Sequence, residues 1–159
     1  MTQYTLIDLL KPEHILVGMD VSDAYSAIQE LTEALVQSRH VTPEFADDVW
    51  EREQTFPTGL PTQPLAVAIP HADPDHVNRS AVCLGVTKSP VQFAQMGTDG
   101  SLILDTRIIF LLAIKEREKQ VQMIQQLVNL IQNPGLLEEL VKASSTGQAL
   151  AQIHEILSA

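Results

Sequence analysis

Apolar residues recur along this chain in two rhythms, and each rhythm predicts a different element. The run His14-Ile15-Leu16-Val17 predicts a first short strand. Ala27, Ile28, Leu31, Ala34 and Leu35 then repeat at helical spacing, predicting a helix that ends near Gln37 and takes Asp20 or Ser22 as its N-cap. A second helix start is written as Thr42 at the N-cap, Pro43 at the first helical position and acidic residues behind it. That helix carries Phe45, Val49 and Trp50 and ends near Gln54. Thr55 to Pro64, rich in proline, reads as a loop.

Strands gather in the middle. Leu65 to Ile69 is a short one stopped by Pro70, Ser80 to Val86 a second and Val91 to Met96 a third. Met96 to Gly100 is turn material. Thr106 to Ile114 is almost continuously apolar, the mark of a central strand covered on both faces. Helices return over Glu118 to Ile131, with Val121, Ile124, Leu127, Val128 and Ile131 on one face, then over Pro134 to Leu140. A last helix, capped by Ser145 or Thr146, runs to Leu157. Helices at both ends around grouped strands predict one layered α/β domain over residues 1–159, a central mixed sheet flanked by helices on both sides.

Composition narrows the partners. The 159 residues hold 20 acidic and 10 basic side chains, a formal charge of −10. Such a surface opposes sequence-independent nucleic-acid binding and adhesion to an anionic membrane. The single cysteine, Cys83, excludes an internal disulfide, and its apolar strand neighbours predict a small core residue. No basic residue precedes Lys11 and no apolar run approaches the about 20 residues of a membrane helix, so the expectation is a soluble cytoplasmic protein without a signal peptide.

The densest polar cluster is His71-Ala72-Asp73-Pro74-Asp75-His76, directly behind the strand Leu65 to Ile69. Strand ends are where α/β folds tend to place ligands. Two chemistries fit the residue types. His71, Asp73, Asp75 and His76 could ligate a metal for hydrolysis. Alternatively one imidazole is a nucleophile towards phosphorus, with Arg52 holding phosphate oxygens and Thr58 and Gly59 supplying donors. His14, His40 and His154 are scattered and read as surface or satisfied positions. Lys115, Arg117 and Lys119 alternate with glutamates as in a solvated turn.

Val67-Ala68-Ile69-Pro70-His71-Ala72 resembles the active-site signature of the fructose/mannitol-type enzyme IIA domains of the bacterial sugar phosphotransferase system. Glu51-Arg52-Glu53 and Phe56-Pro57-Thr58-Gly59 match upstream. With a second histidine five residues after the first, the chain is most similar to the galactitol-type branch, and the likeness spans it from first strand to last helix. The resemblance implies that phosphorylated HPr passes its phosphoryl group to His71, with no cofactor beyond the transient phosphohistidine. His71 then passes it to a cysteine of enzyme IIB, and the membrane enzyme IIC moves the sugar. Arg52 would neutralise the phosphoryl oxygens, with His76 and Thr58 in support. Mannitol-type members carry a second histidine early in the helix after the central strand. Gln120 stands there in this chain, anchored on Val121-Gln122-Met123-Ile124. Some relatives use the phosphorylation state of the histidine at the His71 position as a signal that changes partner affinity, and that regulatory alternative stays open beside the metal hydrolase.

Overall fold

The computed structural model describes residues 5–158. A short helix α1 (Leu6–Leu9) leads into strand β1 (Ile15–Met19), helix α2 (Ala24–Gln37) and helix α3 (Phe45–Thr55). Strands β2 (Gly59–Leu60), β3 (Ala66–Ala68), β4 (Ala81–Ala94) and β5 (Ile103–Ala113) follow. Helices α4 (Arg117–Leu130), α5 (Pro134–Lys142) and α6 (Thr146–Leu157) close the chain. The strands form one mixed sheet in the order β1-β4-β5-β3-β2, parallel at β1/β4 and β3/β5 and antiparallel at β4/β5 and β2/β3.

The sheet is buried on both faces, as the unbroken apolar run in β5 requires. Ile108, Phe110, Leu112 and Ile114 join the core under α1, α4, α5 and α6. Ile109, Leu111 and Ala113 join the core under α2 and α3. Each fully buried side chain of this size contributes about 1.5–3 kcal/mol of transfer free energy, so the central strand is the strongest anchor of the layer.

Several boundaries differ from expectation. The N-cap of α2 is Asp23, whose carboxylate accepts the Ser26 N–H at 2.8 Å, and neither Asp20 nor Ser22 takes that place. Helix α3 begins at Phe45 because the preceding residues pair elsewhere: Val41 bridges Val77 and the Thr42 N–H donates to the His76 carbonyl at 3.0 Å. The two strands expected over 80–96 are one strand, with a register break between Val86 and Val91. There the Arg107 guanidinium donates twice to the Thr87 carbonyl, at 2.8 and 3.0 Å, so Lys88-Ser89-Pro90 bulges outward without ending the strand. On α4 the buried stripe is Met123, Leu127 and Leu130, and Val121 is 60% exposed. The proline-rich loop contains β2, which the sequence alone does not announce.

Gly59 in β2 is fixed by close approach. A Cβ on it would lie 2.6 Å from the Ala94 carbonyl oxygen, so no side chain fits without moving backbone. The short β2/β3 pairing therefore holds the Phe56–Gly59 segment against β3, the strand that leads into His71.

Candidate functional site

The site forms where β3 stops. Pro70 has no N–H to give the ladder, but its carbonyl accepts the Leu112 N–H at 3.0 Å, which docks the turn against β5. His71 follows as a bridge residue beside Leu112 and is only 7% exposed. Its Nδ1–H donates to the Ile69 carbonyl at 2.8 Å. The pairing fixes the neutral tautomer with the proton on Nδ1 and leaves the Nε2 lone pair free. Burial lowers the His71 pKa below its ordinary 6.5, and the nearby Arg52 charge adds to that shift against the pull of the Ile69 bond and Asp73. The ring is thus a neutral base with one directed lone pair at physiological pH.

Helix α3 supplies the facing wall. Asp48, Glu51, Arg52 and Thr55 lie at helical spacing on one face. With Phe56, Ala72, Asp73 and Asp75 they line an open cleft of about 370 Å³. Arg52 stacks its guanidinium 5.1 Å from the centre of the Phe56 ring. Its Nε is buried and has no hydrogen-bond partner among the described residues. A buried guanidinium donor without a protein acceptor, whose charge acts on the His71 ring, suits an anionic group in the cleft.

The other expected residues are placed as follows. His76 Nδ1 hydrogen-bonds the Asp48 carboxylate across the cleft edge. That bond, followed by the charges of Asp48, Glu44 and Asp75, raises the His76 pKa. Gln120, in the first turn of α4, donates from Nε2 to the Ala72 carbonyl at 3.1 Å. Both thus lean on the loop that carries His71. Thr58 is buried, and its N–H and hydroxyl both donate to the Glu53 carboxylate, at 2.9 and 2.8 Å. Its donors are spoken for within the protein, so its action on the cleft runs through Glu53. Gly59 is held in the sheet, paired with Ala68 and accepting the Met96 N–H on its carbonyl at 2.8 Å.

Three of the four residues of the metal alternative face charged side chains. Asp73 and Asp75 face the Arg117 guanidinium at 3.1 and 4.0 Å, and His76 faces Asp48. Among the described residues no group of three or more His, Cys, Asp or Glu side chains is arranged to hold a metal ion. Arg117 is therefore more than a solvated turn residue: it neutralises the acidic flank of the cleft. Lys115 is likewise engaged, donating from Nζ to the Val77 carbonyl at 3.1 Å.

Two further expected residues are buried. His14, read as a surface or satisfied position, is fully buried, and its Nε2 pairs with the Ser38 hydroxyl at 2.7 Å. Cys83 is fully buried in the core as expected, and burial pushes its thiol far up, so it is no nucleophile. Sequence reasoning missed Glu53, which is 6% exposed at the end of α3. Its signal was present: Phe45, Val49 and Glu53 repeat every four residues, so Glu53 prolongs the buried stripe of α3. It also missed Asp48, which lies one helical turn before Arg52 on the cleft face.

Comparison with known proteins gives concordant results. Residues 8–156 match the family described as "Phosphoenolpyruvate-dependent sugar phosphotransferase system, EIIA 2". The chain is 28% identical over 95 residues to the galactitol-specific EIIA component of Escherichia coli K12, covering 60% of this chain and 62% of that protein. It is 29% identical over 153 residues to the multiphosphoryl transfer protein of Shigella flexneri, covering 94% of this chain and 17% of that protein. The match therefore spans less than two thirds of these relatives' lengths. The fold is shared with IIA in a complex of Escherichia coli enzyme IIA-mannitol with phosphorylated enzyme IIB-mannitol, at TM-score 0.74 and 24% identity over 92% of this chain and 99% of that one.

Proposed function

This chain belongs to the EIIA 2 family of the phosphoenolpyruvate-dependent sugar phosphotransferase system, and from that premise we propose that His71 carries a phosphoryl group between two protein partners. The donor is phosphorylated HPr and the acceptor a cysteine of enzyme IIB. Through the membrane enzyme IIC the transfer drives uptake and phosphorylation of a sugar or sugar alcohol, galactitol-like by the kinship of the chain. The protein works in the cytoplasm, where those partners meet it. The described residues include no helix long and apolar enough to cross a membrane.

One observation carries the reading: the His71 Nδ1–H is committed to the Ile69 carbonyl while burial keeps the ring neutral. The Nε2 lone pair attacks phosphorus, and the P–N bond to the donor histidine breaks with its electron pair returning to that nitrogen. In the second transfer the acceptor thiolate attacks phosphorus and the pair returns to Nε2. No proton need move at Nε2 in either step. Arg52 meets the phosphoryl oxygens as charge spreads over them, a reading supported by its buried Nε having no partner among the described residues. Donor and acceptor are protein side chains, so positioning and charge do the catalysis and no cofactor enters.

Phosphorylation with phosphoenolpyruvate, enzyme I and HPr, followed by site mapping, tests this. The expected result is an acid-labile phosphoryl group on His71 that a cognate IIB removes, and none in a folded His71→Ala variant. Wild-type incorporation in that variant overturns the assignment. A phosphoprotein that no IIB discharges, yet whose partner affinity changes on phosphorylation, would instead support the regulatory alternative.

A further inference from the structure

A continuous line of hydrogen bonds joins a buried carboxyl to the reacting imidazole. Glu53 accepts from the Thr58 N–H at 2.9 Å and from the Thr58 hydroxyl at 2.8 Å, one bond on each oxygen. The Thr58 carbonyl accepts the Ile69 N–H at 3.4 Å, the longest link, and the Gly59–Ala68 pairing backs it. The Ile69 carbonyl then accepts the His71 Nδ1–H at 2.8 Å. We propose that Glu53 is a positioning residue for the His71 imidazole, acting through Thr58 and Ile69. The inference rests on His71 being the phosphoryl carrier.

The physical case has three parts. First, Glu53 is 6% exposed, and a carboxyl is rarely placed there unless its partners need it. Second, its two bonds go to one residue of the loop that must hold still for Ile69 to keep His71 in one tautomer. Third, bonds to an ionised carboxylate are roughly twice as strong as neutral ones, so the brace tightens when Glu53 loses its proton. Burial raises Glu53 to about 7 against the pull of its Thr58 bonds and of Arg52, so its charge changes near neutral pH. Arg52 is the charge that faces it. On its other side lies a cavity of about 250 Å³ lined by Trp50, Gln54, Pro57, Gln92 and Phe93, none of which titrates there. Burial lowers His71 below its ordinary 6.5, so its ring is more fully neutral than a free imidazole across this range.

The brace therefore predicts that His71 phosphorylation speeds up between pH 6 and 8 by an increment that needs Glu53. The experiment measures that rate profile in the full chain together with the 15N spectrum of the His71 ring, which reports its tautomer without any partner. In Glu53→Gln the rate at pH 8 is expected to fall about three- to tenfold, one weakened charge-assisted contact, and the Glu53 increment to vanish. The contribution of the His76–Asp48 pair stays in the profile of both proteins. Thr58→Val is expected to reproduce the loss and lower the Nδ1–H tautomer population, and Thr58→Ser to restore most of both. If Thr58→Val and Glu53→Gln both fold and leave the ring spectrum and the rate profile unchanged, Glu53 does not position His71. If wild type takes no phosphate on His71, the carrier reading fails, while the ring spectra of the variants still decide the brace.

Discussion

The Gln120 side chain donates to the backbone carbonyl of Ala72 at 3.1 Å, tying the first turn of α4 to the residue after His71. Helix and turn are 48 residues apart in sequence, and this contact fixes how the loop leaves His71. Loss of one neutral hydrogen bond is worth about 0.5–1.5 kcal/mol. Gln120→Ala is therefore expected to leave His71 phosphorylatable and slow turnover by at most about tenfold. Measurement of phosphoryl acceptance and phosphoprotein lifetime checks it; complete loss of acceptance would mean that Gln120 meets the phosphoryl group itself.

Arg52 should matter to transfer and little to folding. Its guanidinium lies on the Phe56 ring, its Nε has no acceptor among the described residues, and Phe56 is 59% exposed. Removing a buried donor that lacks a partner removes a penalty rather than a support. Arg52→Ala is expected to slow transfer by about one to two decades, since charge-assisted contacts to phosphate contribute about 1.5–3 kcal/mol. Its melting temperature should stay level or rise. Normal transfer with a much lower melting temperature would make Arg52 a structural residue.

The His76–Asp48 pair should be sensitive to pH. The bond to Asp48 raises the His76 pKa in the folded state, so its stabilisation is complete below the ordinary 6.5 and fades as pH rises through the folded value. His76→Ala and Asp48→Asn should each cost more in phosphoprotein lifetime at pH 6 than at pH 8. Lifetimes that match wild type across that range would return His76 to the role of a turn residue.

Glu53 should make folding weaker as pH rises. Its carboxyl is raised from 4.5 to about 7, mainly by burial, so between those values the folded state holds a proton that the unfolded chain releases. The native protein therefore loses stability from this group as pH climbs from about 5 to 8, by up to about 3 kcal/mol at 1.36 kcal/mol per unit. Glu53→Gln removes that slope, and denaturant unfolding at pH 5 and pH 8 reads it. Equal pH dependence in variant and wild type would show that Glu53 ionises freely in the native state.

Local pattern was enough for most of the scaffold. The continuous apolar run ending at Ile114 determined a strand covered on both faces, because only a double-sided burial tolerates no polar alternate position. Ser145 as N-cap and Pro134 at the first position of α5 were legible because caps and proline act within one turn. The Ile69-Pro70-His71 segment behind β3 marked His71 as the candidate nucleophile for the same reason: proline has no N–H to give a ladder. Tertiary structure decided what local chemistry leaves degenerate. Lys88-Ser89-Pro90 could be a turn or a bulge, and only Arg107 from the neighbouring strand selects the bulge. Asp73, Asp75 and His76 looked like ligands until Arg117 and Asp48, from two different helices, took them as ion-pair partners. Glu53 continues the four-residue stripe of Phe45 and Val49, but the stripe alone does not name the partner that a buried carboxyl needs, and only the fold brings Thr58 to it. A side chain's type and rhythm set what it can do; its solvent and its partners, which fix its charge, come from residues far away in sequence.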